Sequence, residues 1–320
     1  MNDELTKRYD NIIIDSVNMF YRVCDTKNET PTILSQKAVY KNAICDFIKQ
    51  VEYLKDRYLY HDGSIYLLFD NYFSRADLQS TFTYADRKNL DEAYKATRKK
   101  ENKPFYQSLN FIRFYYIIGP SMYKTARIDG LEADDLVKPL IEGRCKGQSC
   151  LFVTNDLDWS RYMSKDIDWI PNFGKGPQTI EDLSLKMKFP INEVSVIVYK
   201  SLFGDSSDNI KNIVPNNEKN FENFRELLPT IHVPEQLIYI ARNVEKRDVH
   251  NILKYVNENE KQYQINCQLI SSIECSSEKL DEVMTIGHDD KILYKTVREA
   301  LELDVSEKKY IFGKVKRPRK

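Results

Sequence analysis

The sequence predicts an α/β fold with a mostly parallel central sheet, followed by an all-helical region. Short apolar runs typical of buried strands alternate with longer segments in which apolar residues recur every three or four positions. Strand-like runs nearly vanish after about residue 185, whereas helical segments continue. Strands that alternate with helices favour a parallel sheet with helices on its faces. We therefore expect a first domain at 1–185 and a helical domain at 186–320.

Each expected strand is a run of four or five residues that are mostly apolar. The runs are NIII at 11–14, IYLLF at 65–69, FYYII at 114–118, LFVT at 151–154 and a weaker IDWI at 167–170. Continuous apolar runs of this length indicate strands that are buried on both faces of the sheet. The expected helices lie at 35–59, 131–143, 180–188, 192–203, 218–228, 234–257, 259–270 and 290–302.

The charge composition narrows the class of protein. The 320 residues include 48 basic and 48 acidic ones, so the net charge is zero and a uniformly basic nucleic-acid binder is excluded. Charge is nevertheless segregated, because 308–320 holds seven basic residues and no acid, and 86–103 holds seven basic residues against four acidic ones. Such blocks suit a protein that holds a polyanion beside a cluster of carboxylates. A mosaic of solvated faces is the alternative.

Other features of the sequence argue against a membrane-spanning, secreted, zinc-ribbon or disulfide-rich protein. No apolar run approaches the roughly 20 residues that span a bilayer, and the N-terminal sequence does not resemble a signal peptide. Six scattered cysteines form no CxxC pair, which excludes a recognisable zinc ribbon and argues against a disulfide framework. We expect a cytoplasmic protein that makes no membrane contact.

Three of the expected strands lead directly to an acidic residue. Asp15 ends the first run, Asp70 follows the second, and Asp156 lies two residues beyond the run at 151–154. Because the carboxyl ends of parallel strands line one edge of an open α/β sheet, where ligands bind, these acids should converge on one site. A single aspartate after a strand often only stabilises a turn or caps a helix. Three aspartates at the ends of three strands are harder to explain in that way.

Further acidic residues are expected near the same edge. They are Asp158, two residues after Asp156; Glu132, Asp134 and Asp135, at the start of an expected helix; and Asp205 and Asp208, in the segment GDSSDN. Positions 132 and 135 share a helical face, and 134 joins them only if the first turn is irregular. The alternatives are ordinary, because acids favour helix N-termini and the GDSSDN acids suit a loop with an N-cap.

Crowded carboxylates require cations, since like charges in a cleft repel and raise each other's pKa. Divalent Mg²⁺ or Mn²⁺ prefers carboxylate oxygens and water as ligands. Two such ions about 4 Å apart can activate a water molecule and stabilise the leaving oxygen of a phosphodiester. The four histidines are isolated, and the sequence has no GxSxG, HExxH, P-loop or GxGxxG motif that would indicate a different chemistry.

The motifs that carry these acids resemble a known family. IIIDSVNMFYR, YLLFD, AYKATR, GLEADDLV, VTNDLDW and GDSSDNI occur in this order. The chain resembles the structure-specific 5′-nucleases, or flap endonucleases, and is most similar to the phage 5′→3′ exonucleases, including the phage ribonuclease H type, and to the exonuclease domain of bacterial DNA polymerase I. The resemblance covers about residues 10–230. It implies a PIN-like α/β domain with a helical arch at about 72–110, followed by a helix–turns–helix DNA-binding element.

The resemblance also implies a magnesium or manganese site with two ions. The ligands implied for the first ion are Asp15, Asp70, Glu132 and Asp134, and those for the second are Asp156, Asp158, Asp205 and Asp208, with Asp135 near or between the two. In the arch, Lys95 and Arg98 match the basic residues that contact the scissile phosphate and stabilise negative charge in the transition state. Tyr94 stands where an aromatic ring stacks on a displaced base, and Asn18 and Arg22 match DNA-contacting positions after the first aspartate.

The sequence departs from the family pattern after GDSSDN. The usual glycine-rich hairpin, which approaches a DNA phosphate and a monovalent cation, is replaced by the glycine-free segment 210–220. This change puts the monovalent-cation site in doubt. Lys211 and Lys219 are the candidate phosphate contacts in this region. The basic tail at 308–320 either touches DNA non-specifically or stays disordered.

The resulting hypothesis is a metal-dependent 5′-nuclease that acts on 5′ ends and flaps of branched DNA, and on RNA primers in RNA–DNA hybrids. A monomer that cooperates with replisome proteins fits the family. One alternative is a PIN-type single-strand ribonuclease, although those domains are usually shorter and lack the helical domain that carries GDSSDNI. Another is a non-catalytic replication factor that binds junctions, against which the complete acidic set argues.

Overall fold

A five-stranded parallel sheet forms the centre of the part of the chain that the structure describes. The structure, a computed structural model, describes residues 6–24, 33–70, 84–95, 123–171, 176–243 and 251–284. Its strands are β1 (Tyr9–Asp15), β2 (Leu59–Leu68), β3 (Lys124–Ala126), β4 (Cys150–Val153) and β5 (Ile167–Ile170). They lie in the order β3-β2-β1-β4-β5, and all neighbours are parallel. The predicted α/β class with a parallel sheet is therefore confirmed.

The register of the sheet brings the carboxyl ends of three strands to one edge. Asp15 pairs with Leu68 across β1 and β2, and Ile14 pairs with Val153 across β1 and β4. The residues of β1 and β4 are buried almost throughout, as expected for strands covered on both faces. At this edge Asp15 ends β1, and Asp70 and Asp156 follow β2 and β4.

Helices flank the sheet and make up the described part of the chain beyond residue 179. They are α1 (Ser16–Cys24), α2 (Ile33–Tyr58), α3 (Tyr84–Leu90), α4 (Val137–Glu142), α5 (Ile180–Met187), α6 (Glu193–Phe203), α7 (Glu218–Leu227), α8 (Gln236–Asn243), α9 (Asn251–Glu258), α10 (Glu260–Ile270) and α11 (Ser277–Val283). Within the helix expected at 234–257 the structure describes α8 and α9, and residues 244–250 lie outside the described residues. Helices α1 and α11 were not among the expected helices. The helix expected at 290–302 lies outside the described residues.

Two elements differ from the sequence prediction. The helix expected at 131–143 starts later, because Ala133–Leu136 form a 3₁₀ turn and the α-helix begins only at Val137. The edge strand β3 was not predicted, since three residues are too few to show a periodic pattern. The strand expected at 114–118 lies outside the described residues, as does most of the arch expected at 72–110.

The helical region contributes a group of aromatic residues to the hydrophobic core that it shares with the sheet, and several of its helices pack on the sheet domain. Phe189, Tyr199 and Phe224 contact one another with ring centroids 5.2–5.9 Å apart. Helix α6 packs against the 3₁₀ turn Leu157–Tyr162, α10 packs against α3, and α11 packs against α4. The division at residue 185 remains a prediction. Within the described residues, none of the helices has the length and apolar character needed to cross a membrane.

Candidate active site

Asp15 and Asp156 are joined at the sheet edge by one hydroxyl group. Thr154, directly after β4, donates its hydroxyl to Asp15 Oδ2 at 3.0 Å and accepts a hydrogen bond from the Asp156 backbone N–H at 3.0 Å. The other oxygen of Asp15 accepts from the backbone N–H of Asn18 at 3.0 Å, which caps the first turn of α1. Asp70 Oδ1 accepts from the Ala133 N–H at 2.8 Å, which ties the end of β2 to the 3₁₀ turn.

Three carboxylates come together into one candidate metal site. Asp134, Asp156 and Asp158 each offer an oxygen, and these oxygens all lie within 4.8 Å of one another. Asp156 caps the 3₁₀ turn that follows β4 by accepting from the Asp158 N–H at 3.0 Å. The indole N–H of Trp159 donates to Asp134 at 3.4 Å. The irregular turn at 133–136 therefore directs Asp134 towards the acids that follow β4.

Burial and the proximity of other acids raise the pKa values of two carboxyl groups of the site. Burial, followed by the charge of Asp158, raises the pKa of Asp156 to about 7. Burial, followed by the charge of Asp70, raises the pKa of the Asp15 carboxyl well above its usual range. Both carboxyl groups therefore hold protons more tightly than ordinary aspartates do.

A buried lysine that the sequence reasoning missed links three of the acids. Lys200, on α6, places its ammonium 2.5 Å from Asp158, 2.7 Å from Asp205 and 3.9 Å from Asp156. Burial alone would lower the pKa of Lys200, but these carboxylates outweigh it and raise the pKa above its usual value. Burial likewise raises the pKa of Asp205, yet Lys200 and Ser207 together lower it to about 2.

Lys95 lies inside the acidic cluster, where it links Glu132 to Asp208. Its ammonium pairs with Glu132 and lies 3.6 Å from Asp208, and all three side chains are buried. The backbone also connects the segments, because the Lys95 N–H donates to the Asp208 carbonyl at 2.8 Å. Asn209, which adopts a positive φ of 59°, donates its side-chain amide to the Ala93 carbonyl at 2.7 Å. The base of the predicted arch is therefore attached to the GDSSDN turn.

Asp135 has a different environment from the other acids. It is fully buried, and its two oxygens accept hydrogen bonds from the Arg87 guanidinium, the Glu132 N–H and the Ile273 N–H. Arg87, also missed by the sequence reasoning, donates to Glu132 at 2.6 Å and to Asp135 at 2.9 Å. Both oxygens of Asp135 are therefore bonded to neighbouring groups of the protein, and its position near or between the metal ions stays a prediction.

Three predicted DNA-contacting residues are held within the protein. Tyr94 is 2% exposed and its hydroxyl donates to Glu132 at 3.3 Å, so its ring is not presented for stacking on a base in this arrangement. The Asn18 side chain bonds to Asn155, and Arg22 donates to the Pro171 carbonyl at 2.8 Å. Both lie beside Asp15, because the backbone N–H of Asn18 donates to the Asp15 carboxylate and the charge of Asp15 acts on Arg22.

The remaining predicted residues are the lysines after GDSSDN and Arg98. Lys211 and Lys219 are exposed, as a phosphate contact requires. Gly204 has a positive φ of 78°, and a Cβ there would lie 2.7 Å from the Ile210 carbonyl, so this glycine is needed for the turn. Arg98 lies outside the described residues, as does the basic tail at 308–320.

The donor set fits a hard divalent cation. All the candidate ligands are carboxylate oxygens, which Mg²⁺ and Mn²⁺ prefer, and the oxygens of Asp134, Asp156 and Asp158 lie within 4.8 Å of one another. The raised pKa values of Asp15 and Asp156 support the same conclusion, because burial and then the neighbouring carboxylates raise them, and a nearby cation would offset both effects. We place the metal-binding candidates on this edge for that reason.

We expect the stability of the protein in EDTA to fall as the pH rises from about 4 to 7. The folded-state pKa of Asp156, about 7, lies above the ordinary value of 3.8, so the folded state binds this proton more tightly and loses that advantage across this window. The expected loss is about 1–2 kcal/mol, less than the full shift implies, because the side chain is 28% exposed. Urea unfolding between pH 4 and 8 measures it.

The Asp156→Asn variant is the matched control for this experiment. It keeps the size of the side chain, so its stability should change less with pH than that of the parent protein. Mg²⁺ should stabilise the parent protein more at pH 8 than at pH 5, because protons compete with the cation. Equal pH slopes in the two proteins would contradict the electrostatic description of the site.

Comparison with known proteins identifies the class to which this fold and site belong. Residues 10–189 match a family described as "5'-3' exonuclease, N-terminal resolvase-like domain". The chain therefore belongs to the 5′-3′ exonuclease family, and the predicted enzyme class, a nuclease that hydrolyses phosphodiesters, is confirmed at the level of the family. A curated relative, DNA polymerase I of Caldicellulosiruptor bescii, is 28% identical over 145 residues; the match spans 44% of this chain and 17% of that protein.

Solved structures of related folds cover almost the whole chain. The bacteriophage T5 D15 protein co-crystallised with metal ions has a TM-score of 0.60 at 15% identity, and the match covers 91% of this chain and 98% of that one. Human GEN1 in complex with Holliday junction DNA has a TM-score of 0.55 at 14% identity, with 94% and 71% covered. The catalytic core of Rad2 with a DNA substrate has a TM-score of 0.53 at 10% identity, with 95% and 92% covered. The predicted PIN-like 5′-nuclease fold is thereby confirmed.

Proposed function

We propose that this protein is a divalent-metal-dependent, structure-specific 5′-nuclease that cuts branched DNA near 5′ ends and flap junctions. The observation that carries the proposal is the group formed by Asp134, Asp156 and Asp158 at the carboxyl edge of the sheet, in a chain of the 5′-3′ exonuclease family. The related T5 flap endonuclease has a structure with DNA and metal ions, and GEN1 and Rad2 have structures with DNA. Those complexes support DNA as the substrate here.

The proposed cofactor is Mg²⁺ or Mn²⁺, with two ions per active site. We assign Asp15, Asp70, Glu132 and Asp134 to one ion, and Asp156, Asp158, Asp205 and Asp208 to the other. When bound, these ions would activate water and neutralise the charge of the phosphodiester. The protein's part is to fix the carboxylates in advance: Thr154 sets Asp15 relative to Asp156, and Lys200 holds Asp158 beside Asp205.

Lys95 and Arg98 are the proposed cationic residues that act on the scissile phosphate. Lys95 lies among the carboxylates, paired with Glu132 and near Asp208, so its ammonium is within the region where the phosphate would be held. A positive charge preorganised there stabilises the oxygens that become more negative in the transition state. Arg98 follows three residues later in the same motif.

The DNA on either side of the cut is assigned to two further groups of residues. Asn18, in the first turn of α1, and Arg22, in its last turn, would orient the strand that enters the site. The exposed Lys211 and Lys219 would contact duplex phosphates without reading bases. RNA primers in RNA–DNA hybrids, replisome partners, a monomeric state and a cytoplasmic location are further parts of the same proposal.

The experiment that tests this proposal uses an internally labelled 5′-flap duplex with Mg²⁺, Mn²⁺ or EDTA. A single-stranded RNA of matched sequence is run beside it. We expect cutting at or near the flap junction that depends on the metal, with much slower cutting of the RNA. The Asp166→Asn variant, at an exposed site remote from the carboxylate cluster, should cut as the parent protein does.

The other outcomes of this assay favour the alternatives. Cutting of single-stranded RNA with none at the flap would favour a PIN-type ribonuclease. A folded protein that binds the flap junction but cuts it in neither metal would favour a junction-binding replication factor. Either result would overturn the proposal of a structure-specific 5′-nuclease that cuts branched DNA.

A further inference from the structure

Four consecutive residues of the helical region make hydrogen bonds to the residues that hold the carboxylate site. These residues are Ile270–Ile273, at the end of α10 and just beyond it, and we call them the 270–273 segment. Residues 272 and 273 belong to no helix or strand, so their polar groups need partners elsewhere. The partners lie on α3 and in the two 3₁₀ turns that carry the predicted metal ligands.

The two backbone carbonyls in the first half of the segment accept hydrogen bonds from two buried arginines. Arg161, on the 3₁₀ turn that carries Asp158, donates to the Ile270 carbonyl at 2.5 Å. Arg87, on α3, donates to the Ser271 carbonyl at 2.8 Å. Both arginines are at most 4% exposed, so each hydrogen bond is made in a region from which water is largely excluded.

The second half of the segment contacts the site without an arginine. The hydroxyl of Ser272 bonds to the hydroxyl of Tyr162, at the end of the 3₁₀ turn that begins with Leu157. The Ile273 N–H donates to Asp135 Oδ1 at 2.8 Å, and Ile273 is itself buried. The segment therefore contacts both turns on which Asp134 and Asp158 are carried.

Arg87 connects the segment to Glu132 through a rigid group. Its planar guanidinium binds Ser271, Asp135 and Glu132 at once, at 2.8, 2.9 and 2.6 Å. The Glu132 N–H in turn donates to Asp135 at 2.9 Å. A displacement of Ser271 would therefore move the donor that fixes Glu132, because a guanidinium offers its hydrogen bonds in a fixed geometry.

We propose that the 270–273 segment is a positioning element of the nuclease site: it fixes Glu132, Asp134 and Asp158 through Arg87, Asp135 and Arg161. The helical region then contributes to metal binding and turnover as well as to any contact with DNA. Groups that orient metal ligands from outside typically change metal affinity or activity 10–100-fold when removed. The inference rests on the proposed function, since it assumes that these carboxylates bind the catalytic cation.

The variant that tests this most directly is Ile273→Pro. Proline has no backbone N–H, so the hydrogen bond to Asp135 is lost while the sequence of the sheet domain stays the same. A second variant, Arg161→Met with Ser272→Ala, breaks two other contacts without adding a proline. Val256→Ala, in the core of α9, is the control for destabilisation remote from the site. Mn²⁺ binding is measured by the EPR signal of free Mn²⁺ for each folded full-length protein, followed by single-turnover cleavage of the 5′-flap duplex.

We expect both test variants to need about 10-fold more Mn²⁺ for half-saturation and to cut about 10–100-fold more slowly, with DNA affinity nearly unchanged. Val256→Ala should keep the parental Mn²⁺ affinity and rate at a temperature where it is folded. Parental Mn²⁺ affinity in either folded test variant would overturn the inference. A parent protein that binds Mn²⁺ but cuts no flap would overturn the proposed function instead, and the Mn²⁺ affinities would still decide the role of the segment.

Discussion

The Lys200→Met variant is expected to lose about 3–5 kcal/mol of unfolding free energy at pH 8 in EDTA. Lys200 is 5% exposed and its ammonium contacts Asp158 and Asp205 at 2.5 and 2.7 Å. Removing it leaves buried carboxylates without a counter-charge, which is costlier than the loss of an ordinary surface ion pair. The cost should exceed that of most point substitutions.

Urea unfolding of the parent protein and of Lys200→Met measures this difference. Lys186→Met, at an exposed position on α5, should change stability by no more than about 0.5 kcal/mol. Mg²⁺ should restore part of the stability of Lys200→Met, because a cation replaces the missing ammonium. Adding Asp158→Asn should recover part of the loss as well. A loss below about 1 kcal/mol in EDTA would contradict this account of Lys200.

The second large effect concerns a double variant of the carboxylate site, in which stability is expected to rise while nuclease activity falls. We expect the double variant Asp134→Asn with Asp156→Asn to be more stable than the parent protein in EDTA and to cut the 5′-flap duplex about 10³-fold more slowly. The variant no longer buries the charge of Asp156, which is the main cause of the raised pKa of that group, and it also removes the repulsion between residues 134 and 156 together with two metal ligands. Destabilisation cannot explain a loss of activity that accompanies a gain in stability.

Thermal unfolding in EDTA and single-turnover cleavage in Mn²⁺ measure the two halves of this prediction. Asp166→Asn makes the same chemical change at an exposed aspartate and should leave both quantities as they are. If the double variant cuts at the parental rate, Asp134 and Asp156 do not take part in the active site. A double variant that is less stable in EDTA would show that the cluster is not under electrostatic strain.

The acidic edge could be predicted from the sequence because one physical rule connects pattern to position. Parallel strands end at the same edge, and the acids after β1, β2 and β4 follow apolar runs that are easy to recognise. Glu132, Asp134 and Asp135 were harder to place, because an ideal helix puts 134 on another face. The 3₁₀ turn resolves this by directing Asp134 to Asp156, while Asp135 faces Arg87.

The cations of the site could not be predicted in the same way. Lys200 did leave a signal, since it lies in the apolar helix EVSVIVYKSLF, where an exposed lysine would be out of place. Arg87 left none, because its partners Glu132 and Ser271 are 45 and 184 residues away in the sequence. Tyr94 was expected to stack on DNA, but its ring is part of the buried core and its hydroxyl bonds to Glu132.

The central claim is that the carboxylates after β1, β2 and β4 bind a divalent cation at the point where phosphodiesters are cut. Iron-mediated cleavage of the protein backbone tests it most directly, because Fe²⁺ with ascorbate and peroxide cuts the chain beside the metal site it occupies. We predict cuts close to Asp134 and between Thr154 and Asp158, suppressed by excess Mg²⁺ and lost in the Asp134→Asn, Asp156→Asn variant. Cuts confined to other regions, or cuts that Mg²⁺ does not suppress, would contradict the account.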